Sequence, residues 1–162
     1  MTLPDFAQFE QVTHIDFVDK GLLQQAFTHR SFLNENQALG LSHNERLEFL
    51  GDAVLELVIT EYLYQQYPVK TEGELTSYRA SLVNTVSISD VARELGMENY
   101  LLLSRGEAKD TGRARQSILA NTFEAVIGAL YLDQGYAPAK TFITMYLVPR
   151  LEKIVQKNLW RD

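Results

Sequence analysis

Apolar residues along this chain recur with helical spacing, and no run alternates with period two for long enough to make a sheet. Asp19 can cap a short helix over 20–28 that carries Leu22, Leu23, Ala26 and Phe27. A polar segment with Gly40 leads into a long helix over 44–67, stopped by Pro68. Thr71 and Glu74 have capping-box spacing and open a helix over 71–83. Another helix covers 86–95, with Gly96 placed as its C-terminal stop. Residues 104–116 read as a loop, 117–132 as a helix begun by Ser117, and 138–155 as a last helix with Pro138 in its first turn. The pattern predicts an all-α domain without repeats, low-complexity tracts or an internal linker.

The helix over 44–67 is unusual on its polar side. At roughly 100° per residue and with Glu45 as zero, Glu48 falls near −60°, Asp52 near −20° and Glu56 near +20°. Leu47, Leu50, Val54, Leu57 and Val58 cluster around the opposite direction and predict the core face. Acids opposite an apolar stripe can form a plain solvated face. They also repel at three- and four-residue spacing, and a cation reverses that penalty. Phe49 lies inside the acidic arc, which predicts a covered surface such as a contact with a second subunit. Gly51 costs about 1 kcal/mol relative to alanine in mid-helix, so close packing against its backbone is expected.

The helix over 117–132 is apolar nearly all round, the signature of a buried central element. Asn121, Thr122 and Glu124 are its clearly polar interruptions, and Asn121 and Glu124 share a face. A buried carboxylate must be paired, protonated or metal-bound. One solution is a salt bridge to Arg46 or Arg79. The other sets Glu124 and Asn121 against Glu48 and Asp52, giving an all-oxygen cage suited to Mg²⁺ or Mn²⁺. The second explains both anomalies at once, and it implies metal-assisted phosphodiester hydrolysis. Glu45 is a candidate for an outer shell or a second ion. Glu72 is a further candidate, although a helix start attracts acids for dipole reasons alone. Arg105, Lys109, Arg113 and Arg115 in the 104–116 segment are candidates for contact with a phosphate backbone.

Composition narrows the picture. The chain has 162 residues, no cysteine and a formal net charge of −6. Disulfides and thiolate metal sites are excluded, and acidic balance predicts weak binding of nucleic acid without metal or a basic helper domain. No stretch has the form of a secretory leader or reaches the ~20 apolar residues of a membrane span; a soluble cytoplasmic protein without membrane contact is expected. His14, His29 and His43 lack metal-ligand spacing, Ser31 and Ser42 lack a His/Asp partnership, and no glycine-rich phosphate loop occurs.

The stretch Asn44-Glu45-Arg46-Leu47-Glu48-Phe49-Leu50-Gly51-Asp52 resembles the signature of the ribonuclease III family. Supporting motifs are Gln25 to Ser31, Glu72-Gly73-Glu74-Leu75 with Arg79 to Val83, and Ser117 to Ala125, so that the likeness spans about 17–151. The resemblance implies an all-α endonuclease domain that works as a homodimer on double-stranded RNA. Each subunit would cut one strand and leave staggered ends with 5′-phosphates and 3′-hydroxyls. It further implies that Glu48, Asp52 and Glu124 are metal-site carboxylates, with Asp52 and Glu124 the catalytic pair, and that Glu45 and Glu72 line the catalytic valley. Phe49 would lie in the dimer interface. Asn121 departs from the family pattern, where aspartate is expected, and should lower metal affinity while still offering an oxygen. A nuclease domain over 1–157 followed by a tail or linker over 158–162 is expected, without the RNA-binding domain usual in bacterial members. The competing expectation is a non-catalytic RNA-binding or ribosome-associated module that keeps the fold.

Overall fold

The computed structural model describes residues 2–159 and, among them, is built of helices and short turns. Their order is α1 (Phe6–Thr13), α2 (Lys20–Ala26), α3 (Arg30–Glu35), α4 (Glu45–Gln66), α5 (Glu72–Leu82), α6 (Thr85–Glu94), α7 (Arg105–Lys109), α8 (Arg113–Gln134), α9 (Tyr136–Tyr146) and α10 (Val148–Leu159). The all-α expectation holds; among the described residues the strand-like pairing is limited to an isolated bridge between Thr28 and Leu102.

Helix α8 is the central pillar. Leu119, Phe123, Val126, Ile127 and Leu130 lie in the core with Leu55, Ile59 and Leu63 of α4, Leu82, Val91, and Phe142 and Ile143 of α9. Burial of side chains of this size contributes about 1.5–3 kcal/mol each. A second knot of rings, Phe6, Phe9, Phe27 and Tyr100, closes the N-terminal end with centroid separations of 5.1–6.2 Å.

The two long helices touch backbone to backbone. A Cβ on Gly51 of α4 would collide with the carbonyl oxygen of Glu124, and one on Gly128 of α8 would collide with that of Leu47. The mid-helix glycine at 51 therefore has the close-packing role its position suggested. Gly128 is its counterpart, and its own mid-helix position was the available signal.

Several boundaries differ from expectation, each for a local reason. Two short helices arise where none was expected. Asp5 caps α1 by accepting from the Ala7 N–H at 3.1 Å, and His29 Nδ1 caps α3 by accepting from Ser31 N–H at 3.2 Å. The 104–116 segment is no simple loop: Ser104 caps α7, and α8 starts at Arg113 rather than at Ser117. The last helix is two, because Pro149 lacks the N–H needed to continue α9 and suits the first turn of α10. The tail expected from residue 158 begins inside α10, and residues 160–162 lie outside the described ones. Leu57, assigned to the core face, is 56% exposed. At roughly 120° from Glu45 it sits at the edge of the apolar arc.

Candidate metal centre

The crossing at Gly51 and Gly128 decides what meets above it. Asp52 follows the glycine that touches the Glu124 carbonyl, Glu48 stands one turn before Asp52, and Asn121 one turn before Glu124. Glu45, Glu48, Phe49, Asp52, Asn121 and Glu124 accordingly line one open concavity of about 510 Å³. Five sites predicted from two distant segments are thereby brought together, with Phe49 on the rim.

Its electrostatics are those of crowded anions. Burial, then a hydrogen bond with Asp52, then the charges of Asp52, Glu48 and Glu56 push the Glu124 carboxyl up to about 8. Glu48 is also raised, first by burial and then by Glu45 and Asp52. Among the described residues, no lysine or arginine pairs with Glu48, Asp52 or Glu124. The salt-bridge alternative for Glu124 thus fails: Arg79 donates to Thr60 Oγ1 at 2.9 Å, and Arg46 is exposed. Partly buried Glu48 and Glu124, whose proton affinity is raised by burial and by neighbouring acids, stand with exposed Asp52 and without an ion-pair partner among the described residues, a donor set fit for a divalent cation. As the side chains stand, no three Asp, Glu or His groups among the described residues converge at ligating distance.

The other predicted residues lie elsewhere. Glu72, at the start of α5, lines a separate concavity with Thr60, Tyr64, Tyr67, Leu75 and Arg79, and does not join the acidic one within this chain. Arg105 and Lys109 are exposed on α7, and Arg113 is exposed at the start of α8. Arg115 departs from its expected role as a phosphate contact. It is buried, and its Nη2 donates to the carbonyls of Glu107 at 3.4 Å and Ala108 at 3.1 Å, clamping the end of α7 onto α8. Residue type alone grouped it with the surface bases.

Some supporting residues escaped sequence reasoning. Asn44 opens α4, yet its side chain is spent elsewhere: Nδ2 donates to the Ala26 carbonyl at 2.9 Å, and its N–H donates to Thr28 at 3.0 Å. This fixes the acidic end of α4 against α2. Ser31 Oγ accepts from the Ser104 N–H at 2.9 Å and Glu35 from the Arg105 N–H at 3.1 Å, tying α3 to α7. These contacts cross 70 or more residues and leave no periodic trace.

With this arrangement in view, comparisons with known proteins agree on one family. A family model described as ribonuclease-III-like matches residues 19–151. A ribonuclease 3 from Streptococcus uberis is 49% identical over 139 residues, which is 86% of this chain and 60% of that protein. One from Streptococcus pneumoniae is 50% identical over 138 residues, or 85% of this chain and again 60% of the relative. The chain thus spans about 60% of the length of these curated relatives. The nuclease domain of ribonuclease III from Campylobacter jejuni superposes with a TM-score of 0.81 at 40% identity, covering 88% of this chain and 96% of that one. That domain has structural flexibility in a region involved in dimer formation. Dicer from Pichia stipitis gives a TM-score of 0.65 at 30% identity, over 85% of this chain and 58% of its own. On sequence and fold alike, this chain belongs to the ribonuclease-III-like family.

Proposed function

We propose that this chain is the nuclease domain of a Mg²⁺-dependent endoribonuclease that cleaves double-stranded RNA as a homodimer. The observation that carries the reading is the shared concavity of Glu48, Asp52, Asn121 and Glu124, in which no basic side chain among the described residues pairs with the three carboxylates, in a chain whose relatives are ribonucleases. Glu48, Asp52 and Glu124, with the amide oxygen of Asn121, would hold the ion, and Mn²⁺ could replace Mg²⁺. A bound ion would polarise a phosphoryl oxygen and lower the pKa of a water, supplying the nucleophile for hydrolysis to 5′-phosphate and 3′-hydroxyl ends. The chain itself provides fixed positions. Asp52 and Glu124 emerge beside a backbone crossing that cannot widen cheaply, so the main-chain positions from which their carboxyls reach are fixed.

A dimer, in which each subunit would cut one strand, has its support in the exposed stripe Phe49, Ala53, Leu57 and Tyr64 on α4, which bears on self-association alone, with Phe49 83% and Tyr64 75% exposed. Large apolar side chains in a row on one helix mark an interface. Because Phe49 also lines the acidic concavity, that interface would adjoin the active centre, and Glu72 would serve a separate part of the valley. Arg105, Lys109 and Arg113 are the exposed bases suited to the RNA backbone. No helix among the described residues is long and apolar enough to cross a membrane, and the lack of cysteine fits a cytoplasmic setting. The nuclease domain is taken as residues 1–157, with 158–162 as a tail or the start of a linker.

The test is cleavage of long duplex RNA at low salt with Mg²⁺, Mn²⁺ or chelator. Cuts that need the metal and leave 5′-phosphates are expected, and Glu124→Gln should bring them below detection while circular dichroism and sedimentation stay unchanged. Asn121→Asp should lower the metal concentration required. Failure of the parent chain to cut, followed by activity in Asn121→Asp, would show instead that residue 121 makes this chain a non-catalytic RNA-binding module.

A further inference from the structure

We propose that Arg30 is a phosphate-contacting residue at the rim of the acidic concavity, held in the free protein by an ion pair that the RNA backbone replaces. The inference rests on the functional reading above and adds a residue that reading does not use.

Arg30 is the first residue of α3, and its Nη1 lies 3.5 Å from Oε1 of Glu45, which lines the concavity. Among the described residues this is the one basic side chain paired with any residue of that lining. The pair is loose, with 69% of the Arg30 and 51% of the Glu45 side chain exposed, and the guanidinium makes no other hydrogen bond among the described residues. Exposed pairs of this kind contribute little and exchange readily. A guanidinium with free donors in a planar fork matches a phosphodiester better than a single carboxylate oxygen.

The position of Arg30 is fixed although its head is free. His29 caps the helix through Nδ1, Ser31 next to it accepts from the Ser104 N–H, and Glu35 at the far end accepts from the Arg105 N–H. Arg30 therefore stands on an anchored turn tied to α7, which bears the exposed Arg105 and Lys109. A strand whose scissile phosphate lies over Asp52 and Glu124 also meets the wall formed by Glu45 and Glu48 of α4. Its flanking phosphates need a monovalent cation next to the wall, and Arg30 is the one so placed.

Equilibrium binding of a short duplex RNA in Mg²⁺ decides the matter, measured over a range of salt in the cleavage-deficient Glu124→Gln background. Arg30→Ala should weaken binding about tenfold at low salt and reduce the salt slope by about one, the signature of one lost phosphate contact. Arg30→Lys should recover most of the slope. Glu45→Gln should strengthen binding, because it frees the guanidinium. An unchanged affinity and slope in Arg30→Ala would overturn the proposal and leave the nuclease reading standing. Tighter Mn²⁺ binding by Arg30→Ala with an unaltered RNA slope would also overturn it, since Arg30 would then serve only to moderate the acidic cluster. No duplex binding by the parent protein would remove both readings together.

Discussion

Helices α4 and α8 are each 22 residues long and lie against each other, yet they solve opposite problems. Twelve residues of α8 are buried against seven of α4. Between Ile118 and Leu130, α8 gives almost its whole surface to the core, so the few polar groups there stand out as exceptions that need partners. Helix α4 gives one side to the core and keeps the other for acids and exposed rings. The contrast separates two tasks: α8 holds Glu124 in a half-buried setting that shifts its chemistry, and α4 brings charge and an outer surface to meet it.

The sharpest way to break this pairing is at the glycine crossing. Gly51→Ala should destabilise the protein by about 3 kcal/mol, because its Cβ has no room beside the Glu124 carbonyl. Gly73→Ala on α5, where the nearest heavy atom lies 3.9 Å away, should be neutral or slightly stabilising. Equal urea midpoints for the two variants would mean that the long helices are not in backbone contact. On the outer side of α4, Phe49→Asp should weaken self-association by about 2 kcal/mol, from a charge placed in a desolvated interface. Sedimentation equilibrium unchanged from the parent would detach Phe49 from any interface.

A subtler test reads the pressure of α4 acids on α8. Without metal, folded protein keeps the Glu124 proton up to about 8, whereas an unfolded chain releases it in the ordinary carboxylate range. The folded state binds the extra proton between those limits, so stability should fall as pH rises through that window. Glu124→Gln should flatten the slope in urea titrations made in chelator, and a parallel slope in both proteins would assign it to other groups. Smallest is Arg115→Ala, with a loss of about 1 kcal/mol from two hydrogen bonds to carbonyls at the end of α7. Hydrogen exchange should quicken in α7 and leave the rest of α8 protected.

What could be read in the sequence follows from how locally each feature is encoded. The acids of α4, the lone carboxylate of α8 and the demand of Gly51 for close packing all show within one helix turn or two, and their meeting follows from burial logic. The break at Pro149 was equally local and was outweighed by the apolar pattern running across it. The clamp by Arg115 was not legible, because a buried arginine bonded to carbonyls has the same letter as a surface one facing solvent. The same holds for Asn44 and Ser31, whose partners lie 18 and 73 residues away. Short helices such as α3 and α7 depend on caps supplied by His29 and Ser104 and hold too few residues to display a period.

The bare crossing of α4 and α8 has a consequence for how the domain can vary. Because main-chain atoms alone set the gap, the lining side chains behave like interchangeable fittings on a rigid frame. Exchanging Asn121 for aspartate, or Glu48 for a shorter acid, should retune which ion prefers the cleft without moving either helix.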